Sequence, residues 1–202
     1  MRTRNGINLI ALMLVVCLGF IIGWHISPRS IWAQSTTATM TDKDNPELLR
    51  LYQEDQADRA PKDGKPIDWN VVDPRDKMRE KRVKELYANN QLHTGADFYH
   101  GAMVLQHASK PEDYLLAHEL CVVAISKGDE RAKWLAAASE DRFLMGINRP
   151  QRFATQFRSV GSSPMRLYQT DDGVTDELRR ALNVPTLAQA KEREARMNSK
   201  KN

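Results

Sequence analysis

Disulfides cannot hold this protein together. The 202-residue chain has two cysteines, and Cys17 lies in an apolar N-terminal run, which leaves Cys121 alone in the remainder. The body therefore has to be held by a hydrophobic core. Cys121 itself sits in an apolar stretch and reads as a buried, inert thiol. Recognisable catalytic signatures are missing as well. There is no G-x-S-x-G elbow, no phosphate-binding glycine loop and no pair of carboxylates at a catalytic spacing. "AHEL" at 117–120 contains His-Glu, but position 122 is Val, so the zinc-protease H-E-x-x-H is absent. A clustered basic face is lacking too. Of the formal charge of +4, three units come from Arg2, Arg4 and Arg29, the only charged residues before Ser35. Another three come from the tail "KEREARMNSKKN", which leaves Ser35–Ala190 at about −2. That distribution excludes a nucleic-acid footprint, and no nucleic-acid partner is expected.

What the chain does have is a long hydrophobic run. Leu9–Ile22 is fourteen consecutive residues without a charged or strongly polar side chain, and the apolar span reaches from Ile7 to Ile26 if Asn8 and His25 are tolerated. About fourteen residues fit the core of a signal peptide and about twenty fit a membrane-spanning helix. The competing cleavage site, "SIWAQS", places bulky Ile31 at −3 from Ala33, and Val16 stands where a lipidated Cys17 would need a small residue. Trp24 and Trp32 suit a membrane interface. Residues 1–33 thus read as an uncleaved anchor in preference to a cleaved signal that would release a secreted body. Arg2, Arg4 and the amino terminus outweigh Arg29, so the amino end stays in the cytoplasm and the body is exported to a bacterial periplasm or cell surface.

Residues 34–46 form a polar linker and residues 47–190 a mainly α domain, a compact helical bundle. A helix follows Pro46 through "ELLRLYQEDQADR" with Leu48, Leu49, Leu51 and Tyr52 inward, and "APKDGKP" ends it. The next starts after Asp73-Pro74, with Met78, Val83, Leu86 and Tyr87 inward and the charge run Arg75–Lys84 as its solvated face. Asp97 caps a helix to about Ala108. "YLLAHELCVVAISK" and "RAKWLAAASEDRFLM" then form a helical hairpin across "KGDE", alanine-rich where helices touch, as in tetratricopeptide-like and Sel1-like pairs. After Gly146 the turn residues and two β-compatible runs predict a small β-hairpin or ordered loop near 153–168. Two more helices follow, the first capped by Thr175 and ended at Asn183-Val184-Pro185. Residues 191–202 read as a basic, frayed tail.

"DFYHGAMVLQH", "YLLAHELCVVAISKGDERAKWLAAASEDRFLM" and "RPQRFATQF", in this order, resemble an uncharacterised and mostly bacterial family defined by a domain of unknown function. The resemblance covers roughly Asp55–Pro185 and implies no activity. It carries over positions: His100, Gln106, His107, His118, Asp141, Arg142, Pro150, Gln151, Thr155 and Gln156 match the pattern. Asn148 and Ala154 depart from it, since glycine is usual at both.

Those positions define the candidate site. At about 100° per residue, His100 and His107 return to one helix face, with Cα atoms roughly 10 Å apart. That spacing is poor for a two-histidine chelate, which uses i,i+4. A transition metal such as zinc would need His100 or His107 together with His118, Asp97 or Asp141 from other helices. No other cofactor is indicated. Without a metal, His100 or His107 would act as general acid or base with Asp141 orienting it, while Gln106, Arg142, Gln151, Thr155 and Gln156 hold a polar substrate or partner. The structural alternatives are a hydrogen-bonded core His118, an Asp141-Arg142 ion pair and glutamines that satisfy loop backbone. The favoured reading is a membrane-tethered module that binds a protein or peptide. The second is an enzyme, such as a hydrolase, working at a His/Asp/Gln pocket. The face carrying His100 and His107 is expected to meet the Asp141-Arg142 end of the hairpin and the Arg-Pro-Gln…Thr-Gln loop.

Overall fold

The computed structural model describes residues 43–60 and 66–199, so the apolar segment 7–26 and the anchor expected there lie outside the described residues. The described residues form seven helices and one two-stranded antiparallel hairpin. In chain order these are α1 (Pro46–Arg59), α2 (Trp69–Ala88), α3 (Gly95–Leu105), α4 (Pro111–Ser126), α5 (Ala132–Gly146), β1 (Phe157–Arg158), β2 (Arg166–Leu167), α6 (Asp176–Ala181) and α7 (Leu187–Ser199). None of these helices is long and apolar enough to cross a membrane.

Short polar side chains cap α1, α2, α3 and α6, whereas α4 and α5 begin after Lys110 and Arg131 without a side-chain cap. Asn45 accepts from the N–H groups of Glu47 and Leu48, with Pro46 at the first position of α1. Thr175 caps α6 in the same way. Two starts differ from the sequence expectation. Asp68 caps α2, so Pro74 falls inside that helix, where it removes a single bond near the helix start. Thr94, not Asp97, caps α3; Asp97 is the third residue of a capping box. Its fully buried carboxylate also accepts the Asn45 N–H at 2.7 Å and the His93 N–H at 2.9 Å, which pins the start of α1 to the start of α3.

Four helices stop in one way. The residue after each cap is left-handed: Asn90 after α2 (φ 55°), Gly128 after α4 (88°), Asn148 after α5 (58°) and Asn183 after α6 (57°). The next N–H returns to the last turn, from Gln91 to Leu86, Asp129 to Ala124, Arg149 to Leu144 and Val184 to Arg179. These are Schellman ends, and asparagine is the residue besides glycine that accepts their geometry. Asn148 therefore keeps the turn that glycine would make.

The main core joins α1–α5 through Leu48, Leu51, Val83, Leu86, Leu105, Leu120 and Leu135, all at most 5% exposed. The α4–α5 pair contributes Ala117, Cys121, Ala124, Ala132 and Ala136, small enough for the helices to approach closely. Several expected core residues lie outside it: Leu49, Met78 and Tyr87 are 37%, 65% and 45% exposed. On α2 the inward stripe is Val72, Arg79, Val83 and Leu86. Arg79 interrupts the solvated charge run because Asp58 and Asp76 neutralise it at 2.9 and 2.5 Å. A second, smaller core gathers Ala137, Phe153, Val174 and Val184. Beside it, β1 pairs with β2 between Phe157 and Leu167. The expected tail is helical as far as Ser199. The Asn198 side chain bonds the N–H and carbonyl of Met165 at 2.9 Å each, and Glu194 accepts the Leu167 N–H at 3.1 Å, so α7 is fastened to the hairpin.

Candidate functional site

His107 stands just past the end of α3, since the helix closes at Leu105 and the chain turns. Its Nδ1 lies 3.0 and 3.1 Å from the two carboxylate oxygens of Asp55, which is 1% exposed on α1. A carboxylate only accepts, so His107 Nδ1 is the donor of this contact. Asp55 also accepts from Arg59 and Gln56, at 2.8 Å each. Arg59 continues to Asp76, Asp76 to Arg79, and Arg79 to Asp58. His107 is thus the last member of an ion network that ties α1 to α2.

His100 occupies a different setting, and the helix end separates it from His107. It is 4% exposed, and its ring stacks on Tyr52 with centroids 4.6 Å apart and planes at 24°. The Tyr99 ring lies 5.8 Å from both His100 and Tyr52, so the three rings form a triangle, and the Arg131 guanidinium lies over the Tyr99 ring at 4.5 Å. Burial, reinforced by the Arg131 charge, holds the His100 imidazole below its usual pKa of 6.5. Burial also pushes the Tyr99 phenol up to about 12. His100 Nδ1 is buried without a hydrogen-bond partner. His118 is separate again: its Nδ1 faces the Ala136 carbonyl at 2.9 Å and donates to it. Among the described residues no three His, Cys, Asp or Glu side chains gather to hold a metal. His100, His107 and His118 therefore do not form a shared ligand set.

Asp141 orients neither histidine. Its fully buried carboxylate accepts four hydrogen bonds from the loop after α5. The N–H groups of Arg152 and Phe153 reach Oδ1 at 2.7 and 2.8 Å, and the N–H and hydroxyl of Thr155 reach Oδ2 at 3.0 and 2.8 Å. Burial raises this carboxyl above its ordinary value, and the four donors oppose the shift. The three N–H groups can only donate, so this is a nest built for the ionised form.

Gln151 and Gln156 complete the loop. The Gln151 side chain accepts from Gln156 N–H at 2.8 Å and donates to the carbonyls of Gln156 and Tyr168 at 3.0 and 2.9 Å. Gln156 Nε2 donates to the Ala138 carbonyl and to the Thr155 hydroxyl. Ala154, between these anchors, is left-handed at φ 61°. A conformation that costs alanine about 1–2 kcal/mol is held there because its neighbours are fastened on both sides.

Arg142 carries a positive charge with no acidic partner within 4 Å among the described residues. Nη1 donates to the Gln106 carbonyl at 3.0 Å, so α5 does reach the end of α3, through Arg142 and not through Asp141. Nε is buried with no partner, as is Gln106 Oε1. The Tyr114 ring lies 5.7 Å from the guanidinium carbon, and the Tyr114 hydroxyl is committed to the Ala108 carbonyl at 2.6 Å. Burial holds Arg142 below the ordinary guanidinium value; the Tyr114 hydroxyl opposes the shift and like-charge repulsion from Arg59 adds to it. Arg142 lines an open pocket of about 360 Å³ with Ser109, Tyr114, Met145, Phe157 and Arg158.

Of the sequence candidates, then, Gln106 and Arg142 meet each other, and Asp141, Gln151, Thr155 and Gln156 meet in one loop. His100 and His107 join neither group. The residues that matter around them and were not anticipated are Asp55, Tyr52, Tyr99 and Arg131. The Asp55–Arg59 spacing signals a helical ion pair, but no local pattern shows which carboxylate meets a histidine 52 positions away. Comparisons with family models, curated proteins and solved structures found no match to this chain.

Proposed function

We propose that this chain is a membrane-tethered, exported helical domain that binds a partner protein or peptide. The apolar segment 7–26 and the arginines before it support the tether and its orientation. The motif resemblance to the uncharacterised bacterial family, together with the α4–α5 hairpin, supports a tetratricopeptide-like binding scaffold. One observation carries the binding reading: the Arg142 guanidinium, held by a backbone carbonyl and not by an acid, beside the apolar walls Met145 and Phe157 of an open pocket. Such a pairing of apolar surface with one polar anchor is characteristic of recognition sites.

The test is a photo-crosslinking amino acid at Met145 in full-length protein expressed in its native membrane. A discrete polypeptide adduct on the exported side is expected. Adducts with lipid alone, or an adduct formed only from the cytoplasmic side, would refute the reading.

One observation favours an enzyme, such as a hydrolase, as the second reading. Asp55 and His107 form a carboxylate–imidazole pair whose histidine side chain is 20% exposed, an arrangement suited to general-base work. His107→Gln separates the two: an enzyme loses activity on any substrate found, while a binding module keeps its crosslinked partner.

A further inference from the structure

An open groove of about 600 Å³ runs between α1 and α2. Ion pairs fix its two ends. At one end Arg82 donates from Nε and Nη2 to the Glu47 carboxylate, at 2.8 and 2.9 Å. At the other, Asp58 accepts from Arg75 at 2.7 Å and from Arg79 at 2.9 Å. The start of α1 thus meets the last turns of α2, and the two helices run antiparallel. Midway along, Leu51 is buried and Met78 is 65% exposed, both lining the groove. A long, flexible thioether adapts well to an irregular contact. The charges are divided by helix. The α1 wall sets Glu47, Glu54 and Asp58 against Arg50, while the α2 wall has Arg75, Arg79 and Arg82 and no acid. A face with one acidic and one basic wall is complementary to itself. A two-fold axis along the groove lays the acidic wall of each copy over the basic wall of the other. It also keeps the register, because Glu47 then meets Arg82 of the second copy at the level where it meets its own. The two Met78 side chains come together midway. A two-fold axis across the groove sets acid over acid and base over base instead.

We infer that the groove between α1 and α2 is the contact face of a two-fold homodimer, with its axis along the groove. The direction of the chain favours the same axis. An axis parallel to α1 puts both α1 N-termini at one end of the dimer, so both linkers before Asn45 enter from one side, as two tethers in one membrane require. The inference rests on the tether half of the proposed function and goes beyond its binding half. The 14 residues of α1 are about 21 Å long and two helices side by side are about 20 Å wide, so the contact covers roughly 400 Å² per copy, the size of a weak interface. Confining both copies to one bilayer raises their effective concentration and offsets that weakness. The pocket beside Arg142 is lined from α4, α5 and β1 and stays outside this face.

The experiment uses full-length protein in its native membrane with Cys17→Ser and Met78→Cys, so that the reactive thiol lies in the groove while Cys121 stays buried. A short bismaleimide is added and dimers are read on a denaturing gel. Position 78 gives a homodimer band, whereas Val160→Cys, at a residue 68% exposed in the turn between the strands, gives only collision background. The charge swap Glu47→Arg with Arg82→Glu restores the pair within the chain and between identical copies, but sets like over like in a mixed pair. Swapped copies that crosslink to one another show that the swap folds. With one version carrying a longer tag, mixed dimers at position 78 fall to about a third of their statistical share or less, since two exposed pairs turn from attraction to repulsion. Mixed dimers at their full statistical share overturn the two-fold arrangement. A yield at position 78 no higher than at position 160, or an adduct with a different protein in place of the dimer, overturns the homodimer. Carbonate extraction of the same membranes reads the tether separately. A chain that stays in the membrane without the position-78 dimer refutes the dimer and keeps the tether; a chain that washes off and still crosslinks refutes the tether and keeps the dimer.

Discussion

Replacing Asp141 by asparagine changes one atom and tests the strongest structural assignment in the molecule. The carboxylate accepts two N–H groups on Oδ1 and an N–H and a hydroxyl on Oδ2. An asparagine keeps one accepting oxygen. If that oxygen faces Arg152 and Phe153, the amide NH2 faces the Thr155 N–H, which is left buried without a partner; that costs about 1–3 kcal/mol. The two surviving bonds fall from charge-assisted to neutral, about 1 kcal/mol each. Removing a buried charge returns part of this. The net loss is about 2–4 kcal/mol, and the strain at left-handed Ala154 has less to hold it. For a domain of this size each kcal/mol moves the melting temperature by about 2–4 °C, so Asp141→Asn melts on the order of 10 °C below wild type by circular dichroism. Limited proteolysis should then cut between Arg158 and Arg166, because Phe153 no longer anchors the loop in the second core. A variant that melts within about 1 °C of wild type and resists protease would show that Asp141 does not hold the loop, and would reopen its assignment as partner to a histidine.

Asn148 permits a paired test of the helix end: Asn148→Ala at φ 58° loses about 1 kcal/mol, whereas Asn148→Gly stays within a few tenths. Equal effects of the two in a denaturant titration would rule out the Schellman explanation. His100 gives a pH dependence. Because its folded pKa lies below 6.5, the unfolded chain binds the proton first, and this site's stability is lost as pH falls from the unfolded pKa toward the folded one. The stability of wild type relative to His100→Phe therefore declines between pH 7 and pH 5, by up to about 1.4 kcal/mol per unit. Parallel pH curves for the two proteins would contradict a neutral, buried His100.

Much of the architecture was written locally. The cap residue Thr175, the Gly128 turn and the alanine-rich α4–α5 hairpin follow from short-range rules: a side chain that can reach its own helix end, a residue that tolerates positive φ, a small contact face. Where two residues compete for one local role, the reading failed. Asp68 and Asp73 both resemble a cap for α2, and Met78 and Arg79 are neighbours whose burial depends on whether Asp58 and Asp76 come to meet the arginine. The candidate site was less legible still. The residue types at 100, 106, 107, 141, 142, 151, 155 and 156 all carry polar groups, and all looked available. The folded chain spends Asp141, Gln151, Thr155 and Gln156 on one loop, stacks His100 on Tyr52 and gives His107 to Asp55. Helix periodicity and capping are decided within a few residues, so the sequence alone determined that the body is helical and the order of its helices. Which polar groups are satisfied and which are left over is a sum over contacts far apart in the chain. Only the tertiary structure could decide that Asp141 meets neutral donors in its own loop and that Arg142 meets a backbone carbonyl, so that the two neighbours do not pair with each other.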